Sequence, residues 1–153
     1  MPNALDNAIA RIQNIAAALS TVPPTGTTVR AENDYPSEAA QAFPFCISYL
    51  GGGRFRATNA TIHHNFPIVK VEMHFSRVNL KQAYQQINAA AIEFPKRLVA
   101  DPTLDGTVQT IVFGQESEIE YTARPFEYGT IKSQVLEFEI PIKLLQSPQS
   151  TST

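Results

Sequence analysis

The strongest constraint on the fold is an ordered succession of patterns over residues 66–142, which predicts a strand, a helix, a second strand and a hairpin. In the first strand, apolar side chains occupy alternate positions at Val69, Val71, Met73 and Phe75. Asn79 then provides a helix N-cap, with Gln82 three residues further on. Apolar residues follow with a period of 3.6 at Leu80, Ala83, Ile87, Ala90 and Phe94. Residues 101–106 end this helix, and residues 107–113 predict the next strand.

A second amphipathic helix is predicted at residues 3–19, where Asn3 is the candidate cap. Its apolar stripe consists of Leu5, Ile9, Ile12, Ala16 and Leu19. This stripe either docks on the sheet or contacts another subunit. Together the patterns predict an α+β fold, a small and mostly antiparallel sheet on which an N-terminal and a central helix pack. We expect one domain over residues 1–145 and a flexible C-terminal tail at 146–153.

Residues 22–43 are predicted to form a long loop or arm, because prolines and small polar residues break any long regular element. A loop of this length is uncommon within a compact domain and is often functional or ordered by a partner. Its candidate interaction residues are Pro23, Pro24, Tyr35 and Pro36.

A hairpin with a glycine turn is predicted next, with strands at 45–50 and 54–61. Gly51, Gly52, Gly53 and Arg54 are therefore candidate interaction residues at its tip. The three glycines do not fit a phosphate-binding loop, because neither the glycine spacing nor a following helix is present. Arg54 and Arg56 flank an aromatic residue, but two arginines on one strand face are ordinary surface residues.

The last hairpin pairs residues 118–126 with 131–144, and a two-residue turn at Tyr128 and Gly129 is predicted. This register places Ile119 opposite Phe138 and Tyr121 opposite Leu136. It also sets Glu118 opposite Glu139, and Glu120 opposite Glu137, on the other face of the hairpin.

Like charges in these positions destabilise a sheet, so the four glutamates call for an explanation. One interpretation is a solvated face on which Lys70, Lys132 or Lys143 offsets the repulsion. A second is an acidic face that serves assembly, as a channel lining or as a contact for a basic partner. A third is a divalent-ion or acid–base pair, which would need a cleft that a flat sheet does not offer.

Composition narrows the possible functions further. The 153 residues carry a net charge of −2 and no basic patch, which argues against nucleic-acid binding as the main role. We expect no membrane contact and retention in the cytoplasm, because no stretch approaches ~20 apolar residues and residues 1–10 do not resemble a signal peptide.

The side chains most often used in chemistry are sparse in this sequence. Cys46 is the only cysteine and lies in an apolar strand, where packing is its expected role. His63 and His64 are expected in the loop before the strand that carries His74, and adjacent side chains of an extended segment point apart. We therefore expect no metal, no cofactor and no enzymatic activity.

The order of these pieces resembles the tail terminator proteins of long-tailed bacteriophages, also called tail-completion or head–tail joining proteins. The resemblance covers nearly the whole chain and rests on residues 43–49, 51–53, 69–75, 76–80, 94–98, 101–108, 120–121, 127–129 and 139–143. The family has no catalytic motif against which the match can be checked. The long segment 22–43 and the Ser/Thr tail depart from the family pattern.

What the resemblance implies is a structural virion protein of the tail or neck, assembled in the host cytoplasm. Such proteins form a six-fold ring on the head-proximal end of the tail tube, where they stop tube polymerisation and meet the head connector. The implied partners are other copies of the chain, the tail tube protein and the connector protein, with DNA only passing through the lumen. The alternatives are a tail tube protein, or a small soluble α+β ligand-binding domain or enzyme.

The first prediction concerns Glu118, Glu120, Glu137 and Glu139, which we expect to form a negative face, with the ring lumen as its candidate location. Changing all four to glutamine should leave the protein folded, because none of them belongs to an apolar stripe. Thermal unfolding checks this, and an infectivity assay checks the role. Fully infectious particles, together with a hairpin face that points outward, would refute the lumen hypothesis.

Overall fold

The computed structural model describes residues 3–19, 22–23, 27–32, 43–106, 108, 110–111, 118–129 and 131–144. The two helices are α1 (Ala4–Ala17) and α2 (Leu80–Val99). The strands are β1 (Arg30–Ala31), β2 (Phe45–Ala57), β3 (His63–Ser76), β4 (Thr110–Ile111), β5 (Glu120–Tyr128) and β6 (Ile131–Lys143). The predicted α+β fold is confirmed, and its sheet is strongly curled rather than flat.

The helices begin where their sequences predict. Asn3 caps α1 through a capping box with Asp6, in which each side chain accepts a hydrogen bond from the backbone N–H of the other residue. The Asn79 side chain accepts from the backbone N–H of Gln82 at the start of α2. Both caps satisfy backbone donors that a helix cannot satisfy internally.

The sheet is built around β3 and β6, which pair antiparallel over nine residues from Ile68↔Pro141 to Ser76↔Ser133. Strand β2 lies on the other edge of β3, and β1 adds two parallel pairs to the start of β2. Strand β5 pairs with β6 from Glu120↔Glu139 to Tyr128↔Ile131, and β4 pairs with the end of β6. The mostly antiparallel arrangement is thus confirmed.

One core fills the space between the helices and one face of the sheet. The sheet contributes buried Val69, Val71, Met73, Phe75, Leu136, Phe138, Ile140 and Ile142. Helix α1 contributes Ala8, Ile12, Ile15 and Ala16, and α2 contributes Ala83, Ile87, Ala90, Phe94 and Leu98. The α1 stripe therefore docks on the sheet, and the edge-to-face contact of Phe94 with Phe138 lies at the centre of the α2 packing.

The glycine turn predicted at residues 51–53 is wrong, because β2 continues through the glycines to Ala57. They instead form an irregularity in the β2–β3 ladder, where the pairing shifts between Leu50 and Gly52. A Cβ on Gly53 would lie 2.9 Å from the Phe66 carbonyl oxygen and 2.9 Å from the Pro67 Cα. Glycine is thus needed for close approach of two backbones rather than for a turn.

The predicted register of the last hairpin is wrong by two residues. Tyr128 pairs with Ile131, so the turn starts at Gly129, whose φ of +59° favours glycine. Tyr121 therefore lies opposite Phe138, not Leu136, and Glu120 lies opposite Glu139. A shift of two residues preserves which face each side chain occupies, so the predicted division into an apolar and an acidic face still holds.

Two other predicted segments are only partly described. The strand predicted at 107–113 consists of β4 alone in the described residues. Most of the 22–43 segment lies outside the described residues, including Pro24, Tyr35 and Pro36. The tail at 146–153 also lies outside them.

The close approach at the bulge yields a prediction. Gly53→Ala should increase amide exchange of residues 50–55 by about tenfold or more, because fixed backbone atoms would have to move and ~1–3 kcal/mol of overpacking is expected. Gly51→Ala is the comparison variant and should have a smaller effect, since its Cβ would meet the Lys70 side chain, 2.5 Å from Cγ, rather than fixed backbone atoms. Equal protection in both variants would show that the bulge tolerates a side chain.

Candidate functional site

The sheet face turned away from the helices carries most of the polar side chains, and we call it the polar face. One row across it runs through Tyr49, Lys70, Glu139 and Glu120, and the next runs through Ile47, Glu72, Glu137 and Thr122. Residues directly opposite one another in neighbouring strands share a face, so this set follows from the ladder itself.

Lys70 forms ion pairs with two of the glutamates on the polar face. Its Nζ lies 3.3 Å from Glu137 Oε1 and 3.6 Å from Glu139 Oε1. The hydrogen bond to Glu137 and the two negative charges raise the pKa of Lys70 above its usual value. Arg124 donates a further hydrogen bond to Glu137 at 3.3 Å. The interpretation in which Lys70 offsets the repulsion is thus confirmed for Glu137 and Glu139.

The other two predicted glutamates behave differently. Glu118 precedes β5 and Glu120 is its first residue, and both are exposed. Neither forms an ion pair with another described residue. Glu137, by contrast, has two ion pairs and a side chain that is only 15% exposed. We call Glu118, Glu120 and Glu139 the acidic corner, because they lie together where β5 begins.

Sequence reasoning missed a buried polar chain on the same face. His74 Nε2 lies 2.9 Å from Glu72 Oε1, and His74 Nδ1 lies 2.7 Å from Ser133 Oγ. The Tyr49 hydroxyl donates to the second oxygen of Glu72. Glu72, His74 and Ser133 are all at most 2% exposed. Both carboxylate oxygens of Glu72, both ring nitrogens of His74 and the Ser133 hydroxyl thus have hydrogen-bond partners, as burial requires.

Aromatic rings cover His74 from two sides. Phe45 stacks on the imidazole with ring centroids 4.6 Å apart, and Phe126 meets it edge-on at 4.7 Å. Strand β6 separates β5 from β3, a gap of roughly 9–10 Å in a flat sheet. The curl of the sheet is what brings Phe126 onto His74.

Ser133, His74 and Glu72 follow the order of a serine hydrolase triad, in which a histidine links a hydroxyl to a carboxylate. A substrate carbonyl must reach the serine oxygen, however, and Ser133 is 0% exposed beneath the sheet. In this conformation the three residues act as a structural network that fixes β3 against β6. The prediction of a flat face was wrong, because the sheet is curled. The Ser133 hydroxyl is nevertheless inaccessible to a substrate in this structure.

The second notable surface is the part of the β2–β3 hairpin that extends past β6, and we call residues 50–57 and 63–66 the arm. All residues from Tyr49 to Ile62 are exposed, and Phe55 is 63% exposed. The Arg54 guanidinium lies over the Phe66 ring at 5.6 Å, and Phe55 contacts His63 at 5.3 Å. The arm is thus a two-stranded ribbon with apolar and cationic side chains in solvent.

The remaining predicted residues have ordinary structural roles. The Pro23 carbonyl accepts a hydrogen bond from Gln86 Nε2 at 2.8 Å, which ties the start of the 22–43 segment to α2. His63 and His64 are the first residues of β3 rather than part of a loop. Burial, with the Glu32 carboxylate nearby, raises the pKa of the Cys46 thiol to about 12, so this thiol is unreactive at neutral pH.

No three His, Cys, Asp or Glu side chains converge as a metal site within the described ranges. Neither α1 nor α2 has the length and apolar character that crossing a membrane requires. No protein-family model matches the chain, and no curated protein matches it either.

One feature of the sequence could have indicated the buried hydrogen bonds of Glu72 and His74. Glu72 and His74 are two apart in a strand whose other face is wholly apolar, so they must share the opposite face. Nothing local shows that this face is covered, because Phe45 and Phe126 come from distant strands.

Removing the central carboxylate tests the network. Glu72→Leu should lower the free energy of unfolding by about 2–4 kcal/mol, because it removes the buried acceptor of His74. Glu72→Leu with His74→Phe should cost less than the two single changes together, since both buried partners are then apolar. Glu120→Leu is the control, because it makes the same change at an exposed glutamate of the same face. Urea unfolding measures all four variants, and a neutral Glu72→Leu would contradict the assignment.

Proposed function

We propose that this chain is a non-enzymatic structural protein of a phage virion that closes into a ring on the head-proximal end of a tail tube. The ring ends tube polymerisation and joins the tail to the head connector. The proposal starts from the resemblance of the sequence to tail terminators, whose implied fold, a small sheet flanked by helices, agrees with the α+β architecture described above.

The observation that carries the proposal is the presence of two unlike, open edges on opposite sides of one sheet. On the β2 side, β1 covers only Phe45 and Cys46, and from Tyr49 onward no described strand pairs with the outer edge. On the other side, β5 pairs only with β6 among the described strands. A ring subunit needs such a pair of different surfaces, because each subunit must bind the next head to tail.

Open edges are a liability in a protein that works alone, since they invite association with other strands. Pro125 in β5 limits pairing there, because proline lacks a backbone donor. The arm has no proline within 50–57, but its bulge at the glycines and its two arginines limit pairing there. These edges therefore suit a protein whose association is controlled and useful.

The polar face supports the passage of DNA rather than its retention. The region around Glu137 and Glu139 is net negative, because Glu118, Glu120, Glu137 and Glu139 lie beside only Lys70 and Arg124 among the described residues, and such a surface repels phosphates. In this proposal the part of the face around Glu137 and Glu139 borders the lumen. The mechanism is capping, in which one ring face matches the last tube ring and the other lacks what the next tube subunit requires.

The tail tube protein is the second candidate, because the same open edges and the arm would serve unlimited stacking of rings. The two functions differ in where assembly stops. A terminator gives closed rings of fixed size, whereas a tube protein gives open tubes of increasing length.

The native mass of the purified 16.8 kDa chain, with negative-stain imaging in the presence and absence of tail tubes, tests the proposal. We expect a hexameric ring, or a monomer that becomes a ring only on tube ends, since each copy carries two complementary edges. Tubes formed by the chain alone would identify it as the tube protein. A monomer that ignores tubes and binds small molecules would refute both structural roles.

A further inference from the structure

We propose that the arm of one copy docks on the acidic corner of the next copy, with Arg54 and Arg56 facing Glu118 and Glu120. This inference rests on the proposed ring and names the two surfaces that join its subunits. The partner that covers the arm is therefore a second copy of this chain.

The arm by itself lacks the support that a stable ribbon needs. A two-stranded hairpin is marginal in water unless a third strand or a helix covers it. Beyond the Ile68↔Pro141 pair, the Leu144 N–H still donates to the Asn65 carbonyl at 3.1 Å, but residues 50–57 have only β3 beside them among the described strands. Leu50, Phe55 and Ile62 each expose between 45% and 63% of their surface. A partner that covers the arm would bury these side chains.

The charge of the arm indicates the chemistry of that partner. Residues 50–67 include Arg54, Arg56 and two histidines, and no aspartate or glutamate. The guanidinium of Arg54 lies over the Phe66 ring and is not paired with a carboxylate of the described residues. An acidic surface that offers carboxylates in pairs would suit both arginines, which bind carboxylates through two parallel hydrogen bonds.

The acidic corner has the complementary charge. Glu118 and Glu120 have no ion pair in the described part of the chain, and Glu139 shares Lys70 with Glu137. Glu120 lies directly opposite Glu139, an arrangement that destabilises an isolated sheet. Two arginines from outside would remove this repulsion.

The arm and the corner belong to opposite sides of the sheet, which favours contact between copies. The row Tyr49, Lys70, Glu139 and Glu120 crosses four strands, with β3 and β6 between the first residue and the last. The arm leaves the sheet on the β2 side, whereas the corner lies on the β5 side. A contact between two different surfaces is heterologous, and it closes a ring when the rotation between copies permits.

Charge reversal in a four-part cycle tests the docking. Arg54→Glu with Arg56→Glu, and separately Glu118→Lys with Glu120→Lys, should each weaken self-association at least tenfold by sedimentation velocity. The quadruple variant should recover association to within about threefold of the unmodified chain, because both signs are then exchanged. Lys81→Glu with Lys96→Glu on α2 makes the same change in net charge as the arm variant, and it should leave association unaltered. Circular dichroism verifies that each variant is folded.

A second measurement does not depend on charge reversal. Chains with Arg56→Cys and chains with Glu120→Cys are mixed under mild oxidation, where the buried Cys46 does not interfere. Disulfides between unlike chains should form at least fivefold faster than disulfides between like chains. Equal rates would overturn the docking even if the reversed variants fail to fold.

The outcomes separate this inference from the proposed function. Normal rings from the arm variant, or a quadruple variant no better than its two folded parents, would overturn the docking and leave the ring intact. Rings that form normally but no longer bind tubes would assign the arm to the tube protein and also overturn it. An arm-dependent dimer or filament that ignores tube ends would support the docking and refute the terminator role. No self-association of the unmodified chain, alone or on tubes, would refute both.

Discussion

The pairing of β3 with β6 is the constraint on which the rest of the structure depends. Its one face carries the aliphatic side chains that both helices cover, and its other face carries Glu72, His74 and Ser133 in a buried chain of hydrogen bonds. A slip of one residue would place the carboxylates in the core and the aliphatic residues on the polar face. Both faces therefore specify the same register of β3 against β6. This register in turn limits how β2 can pair with β3 and how β5 can pair with β6.

Both described helices pack on one face of the sheet, so the polar face has no helix on it among the described residues. The Arg11–Asp101 ion pair, at 3.0 Å, joins α1 to the end of α2 and holds both helices on the core side. Within the described part of the chain, the curl of the strands is what covers the polar face and leaves it half-buried. Charges in such a position must be paired, and Lys70 and Arg124 supply the partners for Glu137.

The pairing of β2 with β3 extends to Ala57 and His63, whereas the pairing of β3 with β6 begins at Ile68. The arm is the part of the hairpin beyond that point. Its exposed apolar and cationic side chains lie on one side of the sheet, while the acidic corner lies on the other. The two edges of the sheet therefore differ in chemistry. This arrangement also separates the surfaces proposed for assembly from the closed Ser133–His74–Glu72 network.

The two capped helices, the alternating strand β3 and the division of the last hairpin into two faces could all be predicted from the amino-acid sequence. These features depend on neighbours within about four residues, where period and capping operate. The sequence could not determine the continuous path of β2 through Gly51–Gly53 or the position of the turn at Gly129. Glycine is compatible with a turn and with a strand that approaches another backbone closely, and the contact of Gly53 with the backbone of Phe66 and Pro67 is not a local pattern. The burial of Glu72 and His74, and the exposure of Glu118 and Glu120, depend on Phe45, Phe126 and the curl of the sheet, which only the assembled strands supply. Contacts between residues far apart in the chain decide such questions, and no local pattern records them.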